Sequence, residues 1–151
     1  MNAMSHKTST CVAVNAILLA LLFLSVSFNK EYLRPAFAGN SVLQLLTGSY
    51  ANFIAAYVIS LFPACPILTK RFSVTRGMRI ILATAIGVFI ILTIEELAPV
   101  FGASKVRDGN DIIASALGSF CAILTFHALR RAVSRRKSET EIQEAAGKLE
   151  K

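Results

Sequence analysis

Four blocks of apolar residues, each about as long as one bilayer crossing, dictate what this chain can become. They cover approximately residues 11–28, 50–68, 79–98 and 111–130, and the charged residues gather at their ends and in the gaps. The hydrocarbon core of a bilayer is about 30 Å thick, and a helix needs roughly 20 apolar residues to cross it. A water-soluble domain spreads its apolar residues at a period of about 2 or 3.6. Here 54% of the residues are hydrophobic and stand in nearly unbroken runs. The pattern predicts an all-α membrane protein. Residues 1–137 form a four-helix transmembrane domain, and 138–151 form a polar tail.

The basic residues orient the bundle. Lys7, then Lys70, Arg71, Arg76 and Arg79, then Arg130, Arg131, Arg135, Arg136 and Lys137 fall on one side of a four-crossing topology. The other side holds only Lys30, Arg34, Lys105 and Arg107. Cytoplasmic loops carry the excess of Lys and Arg, so both termini are expected in the cytoplasm of a multi-pass protein of the cytoplasmic (inner) membrane. The net charge of +7 follows from this asymmetry and is no argument for nucleic-acid binding.

The first block has a competing reading as a signal peptide, because Ala36-Phe37-Ala38 resembles a small-x-small cleavage site. Its apolar run exceeds the usual h-region of about 7–15 residues, and Lys30, Glu31, Arg34 and Pro35 intervene, which favours a retained helix. Beyond it, Gly39-Asn40-Ser41 signals a turn that Ser41 could cap, and residues 42–46 suggest a short amphipathic turn on the membrane surface. In the second block, Tyr50 suits an interfacial anchor and Asn52 an interhelical hydrogen bond. Pro63 and Pro66 should kink or end that helix, because each lacks a backbone donor. Cys11, Cys65 and Cys121 show no ligand-like spacing; they read as small apolar residues, with neither a disulfide nor a metal role expected. His127, deep in the fourth block, reads as an interhelical or interfacial residue. The tail reads as a frayed surface helix.

Residues 94–118, IEELAPVFGASKVRDGNDIIASALG, concentrate the chemistry. Glu95, Glu96, Lys105, Arg107, Asp108 and Asp111 lie between the third and fourth blocks, on the side opposite the basic loops. Glu95 and Glu96 are about 100° apart on a helix, so one is expected to reach the headgroups while the other faces the bundle. Asp108 and Asp111 are three apart and share a face, and Asp108, Asn110 or Asp111 could cap the fourth helix. Asp111, Ser115, Gly118 and Ala122 continue along one face, and Ala114 with Gly118 forms a small-x-x-x-small pair that permits close helix packing. No His/Cys metal pattern, phosphate loop or serine-nucleophile motif appears, and no cofactor is implied. Acids in such a cluster could still take a divalent cation through oxygen.

Over residues 96–118 the chain resembles the VanZ-like family of small bacterial membrane proteins. In that pattern a Glu ends one helix, followed by a Gln, a basic residue, a D-x-x-D pair, an Asn and a Gly in the next. Glu96, Lys105, Asp108, Asp111 and Gly118 fall on this pattern without a gap. Pro99 stands where Gln is common, Lys105 replaces Arg, and Ser115 stands where Asn is common; Arg107 could take over the arginine role. The resemblance implies a setting in cell-envelope biology, the family being named for a protein associated with glycopeptide resistance, and it supplies no reaction.

Two functions emerge as expectations. In one, the hinge binds, and could also process, a polar lipid headgroup or lipid-linked envelope precursor. Glu96, Asp108 and Asp111 then serve as acid/base groups or cation ligands, and Lys105 and Arg107 hold a phosphate, with Ser115 and Gly118 completing the candidate set. In the other, the chain is a non-enzymatic scaffold or accessory subunit. There the hinge is a clasp, and the small-residue face packs on another membrane protein. The residues leave a chemical step open.

Overall fold

The computed structural model describes residues 2–70, 72–98 and 109–149, and all the regular structure in them is helical. Helix α1 (Asn2–Phe28) runs through a π-turn at Asn29–Leu33 into one further turn, α2 (Arg34–Ala36). Helix α3 (Ser41–Ser60) is followed by the short α4 (Ala64–Thr69), then by α5 (Val74–Leu97) and α6 (Gly109–Leu149). Four segments are long and apolar enough to cross a membrane: Ser9–Ala36, Ser41–Thr69, Val74–Leu97 and Gly109–Arg136. The four-helix architecture expected from the apolar blocks is the one observed.

Tertiary contacts fix how the helices run. Cys11 meets Cys65, and Asn29 meets Thr47, so α1 and α3 are antiparallel. Tyr57 meets Thr125, while Leu45 and Tyr50 line a groove with Asn110 and Ile113, so α3 and α6 run the same way. One end of the bundle therefore holds Cys11, Thr69, Gly77 and Arg130, and the other holds Asn29, Thr47, Leu97 and Asn110. The first is the basic end, where Lys70, Arg76, Arg79 and Arg130 to Arg136 collect.

Small residues make the central seam. Ala56 and Ser60 on α3 face Ser115, Gly118, Ser119 and Ala122 on α6, all buried. A Cβ added at Gly118 would run into the Phe53 carbonyl oxygen and lie 3.0 Å from the Ala56 Cβ. Only glycine lets the two backbones approach this closely. The Tyr57 hydroxyl reaches Thr125 Oγ1 at 3.2 Å across the same seam. Tyr57 thus supplies the interhelical hydrogen bond expected of Asn52, which makes none among the described residues.

Apolar bulk collects at the basic end, where Phe126 and Ile81 are fully buried against Ala64 and Ile67. There Arg130 closes the loop before α5 by donating to the Phe72 and Val74 carbonyl oxygens at 3.1 and 3.0 Å. Gly77 makes room for it, since a Cβ would fall 2.7 Å from the guanidinium.

Several local expectations change. The surface turn expected at 42–46 is instead the first part of the second spanning helix. Asn40, not Ser41, caps it: its Oδ1 accepts from the Val42 and Leu43 N–H groups at 3.1 Å. A continuous helix satisfies every backbone group in an apolar medium, which a surface turn joined to a separate span would not. Pro63 does break the helix: α3 ends at Ser60, a turn follows, and α4 restarts with Pro66 inside its first turn. The tail does not form a separate element, because α6 continues through it to Leu149 as a single rod roughly 60 Å long.

The cysteine reading is corrected outright. Cys11 and Cys65 form a disulfide, with Cα atoms 5.5 Å apart, while Cys121 is free and half-buried. A separation of 54 residues carried no sequence signal for this pairing. The antiparallel return of α3 and the proline break before Cys65 bring the two sulfurs together.

Candidate functional site

The hinge end holds the last turn of α5, the first turns of α6 and the first half of α3, the latter two meeting along a shared groove. Glu95 and Glu96 close α5, and both are half-buried. Side chains on a helix tilt towards its N-terminus, so both carboxylates lean back over the preceding turn. Each is engaged in an interaction within the protein.

Asp111 stands in the first turn of α6. Because the helix begins at Gly109, Asn110 and Asp111 lie inside it and do not act as its N-cap. An acid in a first turn is favoured by the positive end of the helix dipole. Asp111 is half-buried, and its Oδ1 is shielded from solvent without a hydrogen-bond partner among the described residues. A shielded carboxylate oxygen without a donor is costly, so this atom is suited to receive one from a ligand.

Ser115 and Gly118, one and two turns further on, belong to the packing seam. Ser115 is 1% exposed and donates to the Asp111 carbonyl oxygen at 2.9 Å, while Gly118 packs on the Phe53 backbone. Lys105, Arg107 and Asp108, together with Pro99, lie outside the described residues. His127 is exposed near the middle of α6, about five turns from its start, where it lines a groove with Arg131 and Arg135. It is several turns away from Asp111 along the helix. Among the described residues no three His, Cys, Asp or Glu side chains group as a metal site.

Two cavities flank the first half of α3. The first is an apolar groove of about 340 Å³ between α3 and α6, walled by Leu45, Leu46, Tyr50, Phe53, Ile113 and Leu117. Asn110 stands at its hinge end, and Ser49 lines it with a shielded hydroxyl that has no partner among the described residues. The second, about 460 Å³, is more polar and is lined by Arg34, Ser41, Gln44, Leu45 and Gly48. Leu45 borders both, so the cavities are neighbours around α3.

Arg34 is a residue that sequence reasoning placed only in a connecting segment. The π-turn holds it beside α3, where Nε donates to the Thr47 carbonyl oxygen at 3.2 Å and Nη2 to the Gly48 carbonyl oxygen at 2.6 Å. The buried Asn29 donates to the same Thr47 oxygen at 2.7 Å. A guanidinium carries five N–H donors in a fixed fork, and these contacts use two. Among the described residues, Nη1 makes no hydrogen bond, and Arg34 lines the cavity. Charge-assisted bonds from such a fork suit phosphate or carboxylate oxygens. The signal in the sequence was slight: a polar Asn29 and a basic Arg34 five residues apart, which the wider π-turn aligns.

The fold and its apolar surfaces define a multi-pass integral membrane protein with a groove and a cluster of polar groups at one end. No family model, curated protein or solved structure matches the chain.

Proposed function

We propose that the hinge end binds a phosphate-bearing lipid or lipid-linked envelope component on the outer side of the cytoplasmic membrane, in a protein of the VanZ-like type. One observation carries this reading: the apolar α3/α6 groove, bordered at its hinge end by Asn110, shares Leu45 with the cavity that holds the Arg34 fork. The groove volume lies at the lower end of the range of roughly 300–1,000 Å³ usual for small-molecule sites, enough for part of one acyl chain. A lipid seated there places its headgroup near the acids and its phosphate within the range of Arg34. Lys105 and Arg107 add positive charge from the hinge. Glu96, Asp108 and Asp111 hold headgroup hydroxyls or amines, or a bridging cation.

The scaffold alternative depended on a small-residue face free for a partner. That face is already occupied, because Ser115, Gly118 and Ala122 pack inside this chain against α3. The binding reading is therefore the better supported.

Melting of the purified protein in detergent tests it. Phosphatidylglycerol should raise the midpoint more than a neutral glycolipid with the same acyl chains, since a ligand that binds only the folded state stabilises it. Arg34→Gln should weaken the response to phosphatidylglycerol by about tenfold in affinity, equivalent to about 1.4 kcal/mol. Equal stabilisation by both lipids, or an undiminished response in both Arg34→Gln and Asp111→Asn, would contradict the proposal.

A further inference from the structure

The Cys11–Cys65 pair stands at the basic end of the bundle, the end assigned to the cytoplasm by the distribution of Lys and Arg. The cytoplasm keeps thiols reduced, and disulfides there are transient and usually catalytic or redox-sensing. A permanent structural disulfide and this orientation are therefore incompatible. We propose that Cys11 and Cys65 form a reversible oxidation site, a dithiol at rest that peroxide converts to the disulfide, pinning α1 to α4.

The surroundings of the pair fit such a site. Cys11 lies at the start of the first span, and Cys65 in the short helix that follows the proline break. Their Cα atoms, 5.5 Å apart, permit bridging without backbone movement. Cys11 is 9% exposed and Cys65 half-buried, so the pair stays partly accessible to a small neutral oxidant and to an exchanging thiol. The Thr69 hydroxyl, which donates to the Cys65 carbonyl oxygen at 2.8 Å, also stands 3.6 Å from the Cys11 sulfur and 4.0 Å from the Cys65 sulfur. It provides a polar contact to both sulfurs in otherwise apolar surroundings.

The mechanical consequence comes from how little else holds this end of α1. Only 6% of the most apolar window of the first span is buried inside the protein. Besides the sulfur pair and its Thr69 contact, Asn15 ties the first half to the turn between α3 and α4 by donating to the Phe62 carbonyl oxygen at 3.3 Å, and Thr10 is engaged in a further interaction. The far end is anchored separately by Asn29 and Arg34. Reduced, α1 is secured chiefly at its far end; oxidised, it is secured at both.

The chemistry balances with hydrogen peroxide as oxidant. One thiolate attacks a peroxide oxygen, the O–O bond breaks, and the departing hydroxide takes up a proton as water, leaving a sulfenic acid. The second thiol attacks that sulfur, the S–O bond breaks, and a second water leaves. The two sulfurs lose two electrons and the peroxide gains two. A cellular dithiol reverses the step by thiol–disulfide exchange.

Differential alkylation of the full-length chain in acid-quenched cells tests the proposal, with Cys121→Ser to simplify the readout. Free thiols are blocked, disulfides are then reduced, and the released thiols are tagged with a maleimide-polymer that shifts mobility. The expected result is no tagging in unstressed cells, and two tags after a brief peroxide pulse that disappear on recovery. Two tags in unstressed cells, or none after peroxide, would overturn the proposal. Because it rests on the orientation used above, Ser104→Cys is labelled in parallel with an impermeant maleimide. Labelling from outside together with permanent tagging refutes the redox site and leaves the orientation standing. Labelling only from the cytoplasm refutes both.

Discussion

Gly118 shows what a single residue decides in this protein. Its missing side chain is where the α3 backbone sits, so any Cβ would meet the Phe53 carbonyl. Gly118→Leu should separate α3 from α6 and cost about 1–3 kcal/mol, the usual range for overpacking. Ala116→Leu, on the exposed face of the same helix, should cost little. Circular-dichroism melts of the two purified variants check this, and equal midpoints would show that the seam is not tightly packed. The spacing of Ala114 and Gly118 made this role legible in the sequence. The roles of Asn29 and Arg34 were not legible, because both bond to backbone carbonyl oxygens of α3. Sequence patterns register side chains, whereas these partners depend on how α1 and α3 come together. The acids separate by the same logic. Glu96→Gln and Asp111→Asn keep the shape of the side chain and should leave folding and insertion intact while lipid binding falls. Loss of the protein from the membrane in both variants would instead make them structural.

Element ends were less legible than element existence. All four spans were evident from apolar length, but α3 begins about nine residues before its expected start, because the connecting segment joins the helix under the Asn40 cap. The tail, too polar to show an apolar face, continues α6 as helix. Proline placement was legible, and it has a consequence at this scale. Pro63 interrupts α3, and the restart at Ala64 sets the direction in which Cys65 points. The double substitution Pro63→Ala, Pro66→Ala should allow α3 and α4 to merge. Each residue added to or removed from a helical path rotates the downstream side chains by about 100°, so Cys65 should turn away from Cys11. Oxidant-induced cross-linking of the purified variant should drop several-fold relative to the parent, and unchanged cross-linking would mean that the break is not what aligns the sulfurs.

At the scale of the whole molecule, the division of charge between the two ends connects the separate observations. The basic end collects the closed apolar core, the Arg130 clamp and the sulfur pair. The other end carries the acids, the Arg34 fork and the groove. The gathering of Lys and Arg at one end could be read from the sequence, because alternate gaps between the apolar blocks carry them. The groove could not, since it arises from how two parallel helices diverge above their small-residue seam. Ser104→Cys should react with an impermeant maleimide from outside the cell, and reaction from the cytoplasm alone would invert the bundle.

Bound lipid provides the most direct measurement of the central claim. Native mass spectrometry of the detergent-purified protein should show a phosphate-bearing lipid retained on the parent chain. Ile113→Trp, which fills the groove from an exposed lining position, should lose it. Phe120→Trp, equally exposed on α6 but outside the groove wall, should keep it. Lipid retained equally by both variants, or absent from the parent, would contradict the account.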